Sequence, residues 1–289
     1  MKLKDKIIVG TSGGLGNQMF QYAAGLSLSN KLGIPLKLDI SWHNGKVSRK
    51  YLLNNLNISN VECSFSRKNY FLELYQQYKK RFSKKFMGVP IFRERFFHFS
   101  KDFNAINSPV FLHGYWQSEK YFEKIKKTIL KEFKLKTPLP RECRQLEKTI
   151  QKSNSICLHI RRGDYMSKNK KNIHRVLTPD YYKKALRILN KDFKNPCCFV
   201  FSDDIGWIKN NIKLEIPFIL VDFNSVNYPH FDLHLMSQCK KFIIANSSLS
   251  WWGAWLSEYR YKEVIAPKKW FSKKNIITSD LIPESWKLI

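Results

Sequence analysis

Apolar and polar positions along the chain follow two alternating rhythms, one with the period of a strand and one with the period of a helix. Lys6-Ile7-Ile8-Val9-Gly10 reads as a short buried strand. The glycine-rich turn Thr11-Ser12-Gly13-Gly14-Leu15-Gly16 follows, and then Leu15, Met19, Tyr22 and Leu26 recur at helical spacing until Gly33 stops the run. Pro35-Leu36-Lys37-Leu38-Asp39 supplies a second strand, so the chain opens as a β-α-β unit. Val110-Phe111-Leu112-His113-Gly114-Tyr115 predicts another strand, and Ser118 predicts the cap of a helix with an apolar face of Phe122, Ile125, Ile129 and Phe133.

Residues 134–140, with two prolines, read as a linker. Beyond it the alternation becomes regular: strands are expected at 155–160, 197–202, 217–221, 242–245 and 264–266. Helices are expected to start at Thr178-Pro179-Asp180, at Asp203-Asp204, near Pro229 and at Ser250. Strands alternating with helices predict an α/β protein with parallel sheets wound on both faces, and ligands at the carboxyl ends of the strands. A length of 289 residues favours two packed lobes with a cleft between them, expected as residues 1–140 and 141–289.

Composition narrows the class. No apolar run approaches the roughly 20 residues of a bilayer span, and the amino terminus lacks a secretory h-region, so the expectation is a protein that stays in the cytoplasm. The six cysteines include no CxxC pair, which predicts buried free thiols rather than a disulfide framework or a zinc site. A formal net charge of +28 attracts polyanions: nucleic acid, anionic lipid head groups or diphosphates. Residues 67–101 concentrate this character, with ten Lys or Arg against two Glu among ten Phe or Tyr. That stretch is a candidate for lying on an anionic inner membrane, or simply for a solvated lysine-rich surface.

Three segments carry candidate chemistry. Ser155 through Ile160 runs directly into Arg161-Arg162-Gly163-Asp164, where arginine forks at a strand exit suit a diphosphate; an arginine–Asp164 ion pair at a turn is the plainer alternative. In Phe242 through Trp255 a strand feeds Asn246-Ser247-Ser248-Leu249-Ser250, residues that open a helix whose free amides suit a phosphate. There, too, Ser250 as a cap and the tryptophans as core remain open. In Phe199-Val200-Phe201-Ser202-Asp203-Asp204 two carboxylates leave a strand end, placed to accept from a ribose or base or to cap a helix. The amino-terminal Gly14-Leu15-Gly16-Asn17-Gln18-Met19 does not complete GxGxxG, and a glycine turn that brings the Asn17 and Gln18 amides to a sugar or phosphate fits better.

These blocks, together with Leu235-Met236-Ser237-Gln238-Cys239-Lys240, resemble the signature blocks of glycosyltransferase family 11, the family of bacterial α-1,2-fucosyltransferases, in family order from Gly13 to about Trp270. The resemblance implies a GT-B architecture of two Rossmann-like lobes, the carboxyl-terminal one holding GDP-fucose and the amino-terminal one helping to bind a galactose-terminated glycan. It implies inverting transfer of L-fucose to O2 of that galactose, with no metal or other cofactor. His159 and Asp203 or Asp204 are then expected at guanine or ribose, Arg161 and Arg162 at the diphosphate, and Ser247, Ser248 and Ser250 at the phosphates. Gly14, Gly16, Asn17 and Gln18 are expected at the cleft. Arg161, Arg162, Asp164 and Asn17 are the catalytic candidates, with Asp164 and Asp39 open as bases. A basic nucleic-acid-binding protein is the rival from another class, and it leaves the 161–162 and 246–255 blocks unexplained.

Overall fold

The computed structural model describes residues 4–44, 49–58, 62–63, 85–86, 88–166, 175–191, 193–224, 227–273 and 276–289. Most of the basic aromatic stretch, 67–84 and 87, lies outside the described residues. The chain divides into two compact units, Met1–Lys136 with Ile277–Leu281, and Thr137–Ile276 with Ile282–Ile289. The crossing point lies inside the proline-rich segment read as a linker. The return of Ile277–Leu281 to the first unit departs from a simple division at residue 140. Asp280 anchors it there, accepting from the Phe99 N–H at 3.0 Å and pairing with Lys120.

The first unit is built on a six-stranded sheet: β1 (Ile7–Gly10), β2 (Leu36–Asp39), β3 (Glu62–Cys63), β4 (Lys85–Phe86), β5 (Val89–Arg93) and β6 (Val110–His113). Its order is β3-β2-β1-β6-β5-β4, and every pairing is parallel except β4 with β5. Ile7, Ile8 and Val9 are wholly buried, as the apolar run of a central parallel strand requires. The helix Leu15–Leu32 ends on left-handed Gly33 (φ 65°), whose N–H returns to the Ser29 carbonyl. It packs close to the sheet because Gly25 has no side chain: a Cβ there would lie 2.4 Å from Val9 Cγ2 and 2.8 Å from Leu36 Cδ1.

One expected helix is broken. Ser118 does cap a turn, accepting from the Lys120 N–H, but the segment forms two short 3-10 turns before the helix Lys126–Glu132. Phe122 is the interruption: its φ of −144° is not helical, and its ring is completely buried against Phe20. Tertiary burial of one large side chain overrides the local pattern.

The second unit carries β7 (Asn154–Ile160), β8 (Pro196–Ser202), β9 (Phe218–Val221), β10 (Lys241–Ile243), β11 (Glu263–Ala266) and β12 (Lys287–Leu288). Their order is β12-β11-β10-β7-β8-β9, parallel throughout. The connecting helices are Pro179–Asn190, Ile205–Asn211, Pro229–Ser237 and Ser248–Leu256. A helix at Arg141–Lys152 was not anticipated, because charged residues dominate it; Cys143, Leu146 and Ile150 nonetheless form a buried stripe at helical spacing. Trp251, Trp252 and Trp255 are core, each indole removing on the order of 200 Å² from water. Lys262 closes the carboxyl end of their helix by donating to the Ala254, Trp255 and Ser257 carbonyls at 3.0, 3.0 and 2.7 Å.

Cys143, Cys157, Cys198 and Cys239 are buried free thiols. No helix among the described residues is long and apolar enough to cross a membrane.

Replacing Gly25 by alanine tests the helix–sheet contact. Overpacking outweighs the gain in helix propensity, so Gly25→Ala is expected to destabilise the protein by about 1–2 kcal/mol, read as a lower urea midpoint with an unchanged slope.

Candidate active site

In the second unit the chain runs outward from β7 to β8 and β9, then crosses back to lay β10 on the other side of β7. This reversal separates the loops leaving β7 and β10, and the crevice beyond their carboxyl ends is where an open parallel sheet binds ligands. Three of the segments singled out in the sequence empty into it: Arg161-Arg162 from β7, Asp203-Asp204 from β8, and Asn246 through Ser248 from β10.

The arginine turn is built on Asp203. One oxygen of its carboxylate accepts from the Arg162 backbone N–H at 2.9 Å and the other pairs with Arg161 Nη1 at 3.0 Å. Gly163 permits this approach, since a Cβ there would stand 2.7 Å from Asp203 Oδ2. Asp164 takes Arg161 Nη2 at 2.7 Å, so the ion pair that competed with the ligand reading is present. Arg162 lies with its guanidinium 4.2 Å above the Trp207 ring and its Nε 3.4 Å from Asp204 Oδ2. Among the described residues the Arg162 terminal nitrogens have no partner, whereas an anion at Arg161 would compete with two carboxylates. Asp204 also caps the helix Ile205–Asn211, accepting from the Trp207 N–H at 3.1 Å. Both expected ribose or base contacts are therefore engaged with protein partners.

Beside the arginines, His159 is almost completely buried, and its Nδ1 has no partner among the described residues. Burial, then the Arg161 cation, pushes its pKa down to about 4, against the pull of Asp203, so the imidazole is neutral. Across the crevice, Asn246 donates to the carbonyls of Arg175 and Trp270, both at 2.8 Å, while its buried Oδ1 has no partner among the described residues. Tyr165 ties the two edges, its hydroxyl donating to the Asn246 carbonyl at 2.9 Å.

The helix opens at Ser248, with Ser247 as its first cap and no side-chain bond to that end. Ser250 is thus not the start expected for it: it sits within the first turn and its hydroxyl donates back to the Ser247 carbonyl. The first-turn amides thus have no side-chain cap, and the helix dipole makes that end favourable for an anion.

Two buried groups of the helix Pro229–Ser237 gave no signal in the sequence. His230 is buried with Nδ1 unpartnered, and Asp232, accepting from Asn224 Nδ2 at 2.6 Å, is pushed up to about 7 by burial. An acidic residue in a helix's first turn is ordinary, and only burial sets this one apart.

The first unit also reverses at a central strand, between β1 and β6. The amides of its motif work mainly as braces. Gln18 is wholly buried; its Nε2 donates to the Gly13 and Lys50 carbonyls and its Oε1 accepts from the Leu52 N–H, each at 2.9 Å. Gln21 joins Ser12 to the Gly114 carbonyl, and Asn17 Oδ1 accepts from Gln117 Nε2 at 2.8 Å. Gly14 and Gly16 form the turn and first helical residues beneath them. Asp39 is 2% exposed, its carboxylate accepts from the Ser41 N–H, and burial raises its pKa.

Residues 1–287 match the family described as Glycosyl transferase family 11. The chain is 37% identical to an Escherichia coli alpha-1,2-colitosyltransferase, over 97% of each sequence. It is 33% identical to the Escherichia coli O-antigen biosynthesis glycosyltransferase WbnK, over 95% of this chain and 97% of that one. The Rattus norvegicus galactoside alpha-(1,2)-fucosyltransferase 2 is 24% identical over 89% of this chain and 68% of its own. Among solved structures, the NodZ alpha-1,6-fucosyltransferase co-crystallized with GDP superposes with a TM-score of 0.51 at 11% identity, covering 86% of this chain and 92% of that one. The fold is therefore GT-B.

The brace role of Gln18 is separable from ligand binding. Gln18→Ala orphans one buried N–H and two carbonyls, so it is expected to lower stability by about 2–4 kcal/mol even without substrate, measured by urea unfolding. Unchanged stability would return Gln18 to the ligand.

Proposed function

The chain belongs to glycosyltransferase family 11, and from that premise we propose that it is a galactoside α-1,2-fucosyltransferase, transferring L-fucose with inversion from GDP-β-L-fucose to O2 of a galactose. The observation that carries the donor reading is the Arg161-Arg162 turn set beside a free helix amino terminus at the reversal of the second sheet. Two guanidinium groups and a cluster of backbone amides suit the phosphate oxygens of a nucleoside diphosphate. The neutral His159 and the unpartnered Asn246 Oδ1 are the nearby groups left to meet a base, ribose or sugar.

Inversion is a single displacement. O2 of the acceptor forms its bond to C1 of the sugar as the bond from C1 to the β-phosphate oxygen breaks, GDP leaves with the electron pair, and the hydroxyl proton passes to a base or to water. Negative charge grows on the departing oxygen, and arginines fixed in place before the reaction stabilise it more in the transition state than in the ground state. Positive side chains supply that stabilisation, so turnover is proposed to need no metal ion. The acceptor is assigned to the first unit, where Trp42 and Tyr115 present exposed aromatic faces.

A second donor is favoured by one observation, the 37% identity to an alpha-1,2-colitosyltransferase. Colitose is fucose without its 3-hydroxyl. A site that hydrogen-bonds that hydroxyl rejects the deoxy sugar strongly, whereas one that merely tolerates it does not.

Release of GDP from GDP-fucose and from GDP-colitose, with lactose or Gal-β-1,3-GalNAc as acceptor and EDTA present, decides between them. Acceptor-dependent release with GDP-fucose and a product linked at galactose O2 is expected; release with GDP-colitose alone would transfer the assignment to the second donor. No GDP binding at all would end the donor reading. Arg161→Ala and Arg162→Ala are each expected to lower kcat/KM at least about 100-fold with the native fold retained, checked by circular dichroism, and full activity in both would remove their diphosphate role.

A further inference from the structure

The first unit contains a buried carboxylate that neither motif nor family resemblance singled out. Glu94 leaves β5 in the extended line of the strand, its N–H donating to the His113 carbonyl at 3.0 Å. Its Oε2 accepts from two successive backbone N–H groups of the loop leaving β6, Tyr115 at 2.7 Å and Trp116 at 3.0 Å. Among the described residues its Oε1 is buried with no partner.

The surroundings are shaped around this contact. A Cβ on Gly114 would fall 2.4 Å from Glu94 Cβ and 2.8 Å from Oε2, so the carboxylate reaches the loop only because residue 114 is glycine. Trp116 is held at φ 58°, a left-handed conformation that a bulky side chain adopts only when its surroundings impose it. Its indole is wholly buried among Phe92, Phe103 and Tyr121. Thus the indole anchors one end of the strained turn and the carboxylate holds its amides.

What the turn delivers lies on either side of Trp116. Tyr115 is exposed, its ring stacked on Phe97, a surface suited to the C–H face of a pyranose. Gln117 donates to Asn17 at the head of the first helix.

We infer that Glu94 is a positioning residue: its carboxylate clamps the 114–117 loop, and through Gln117 the Asn17 side chain, into the arrangement that receives the acceptor sugar. The acceptor clause rests on the function proposed above; the clamp does not.

Burial outweighs the two N–H contacts and pushes the Glu94 pKa up to about 7. The ionised carboxylate accepts both amides most strongly and is present above that value, so the clamp weakens as pH falls through it. Among the described residues the titratable groups around it are Tyr121, raised by burial and then by Glu94 and Asp280, and Asp280 itself, which burial raises but Lys120, the Phe99 N–H and His98 together bring down. On the two strands that lead in, the His113 pKa is lowered by burial and then by the Arg93 cation.

The test combines amide hydrogen exchange of the 114–117 segment with kinetics on lactose. Glu94→Ala is expected to speed exchange at Tyr115 and Trp116 at least tenfold and to raise the lactose KM at least tenfold, with GDP affinity within twofold of the parent. Glu94→Gln keeps an acceptor for both amides, so it should stay within threefold of the parent at pH 8. It should also lose the rise in lactose KM that the parent shows between pH 8 and pH 6.

Unchanged exchange in Glu94→Ala would overturn the clamp. A Glu94→Gln protein that keeps its protection yet is as inactive as Glu94→Ala would also overturn it, by assigning the carboxylate to proton transfer. Should Glu94→Ala fail to fold, Gly114→Ala, which drives a methyl group into the carboxylate, must loosen the same amides; normal protection there would refute the inference. If the parent protein turns over no galactoside, the proposed function fails and exchange alone decides the clamp.

Discussion

In each unit the sheet is wound outward from a central strand, and the chain must return to lay a further strand on that strand's other side. Loops leaving the two central strands then diverge, and no helix can cross directly above them. Helices cover both faces of a parallel sheet, so this gap at the carboxyl end is the place where polar groups can gather without being buried against apolar cover. Almost every candidate functional residue stands at one of the two reversals: β7 with β10 in the second unit, β1 with β6 in the first.

The two gaps are finished differently. At the second, cations and carboxylates are interlocked: Asp203 grips the arginine turn through backbone and side chain, and Asp164 and Asp204 each neutralise one guanidinium. The carboxylates thereby lower the cost of holding two like charges side by side, and Trp207 restricts Arg162 to one plane. A diphosphate entering here meets charges already oriented, the arrangement that makes electrostatic stabilisation effective. At the first gap the interlocking groups are neutral amides, Gln18, Gln21, Asn17 and Gln117, with the buried carboxylates Glu94 and Asp39. Neutral donors and acceptors beside an exposed aromatic ring suit hydroxyl groups, whereas the cationic gap suits phosphates. The division of labour between donor and acceptor proposed for the two units follows this difference in polarity.

Hydrophobic periodicity determined much of the protein. The strands at 155–160 and 197–202, the opening β-α-β unit and the parallel α/β class follow from local pattern, because a buried parallel strand has to be continuously apolar and a glycine stop is a local event. The signature blocks likewise pointed to the arginine turn and to the helix opening after β10, since residues at a strand exit reach the crevice whatever the remainder of the fold does. What local pattern could not supply was any outcome that depended on distant partners. The helix after Ser118 broke because Phe122 was drawn into the core, and Arg141–Lys152 formed on a stripe of three buried side chains. Gln18 became a brace because Lys50 and Leu52 came to it, and both Asp203 and Asp204 were taken up by arginines from a neighbouring strand. Glu94, one acidic residue in a basic stretch, acquired its role only when β5 and β6 were paired side by side and Gly114 left room for it. Secondary structure is set by interactions between near neighbours, but the use of a polar side chain is set by which unpaired backbone groups the tertiary fold places within 3 Å of it.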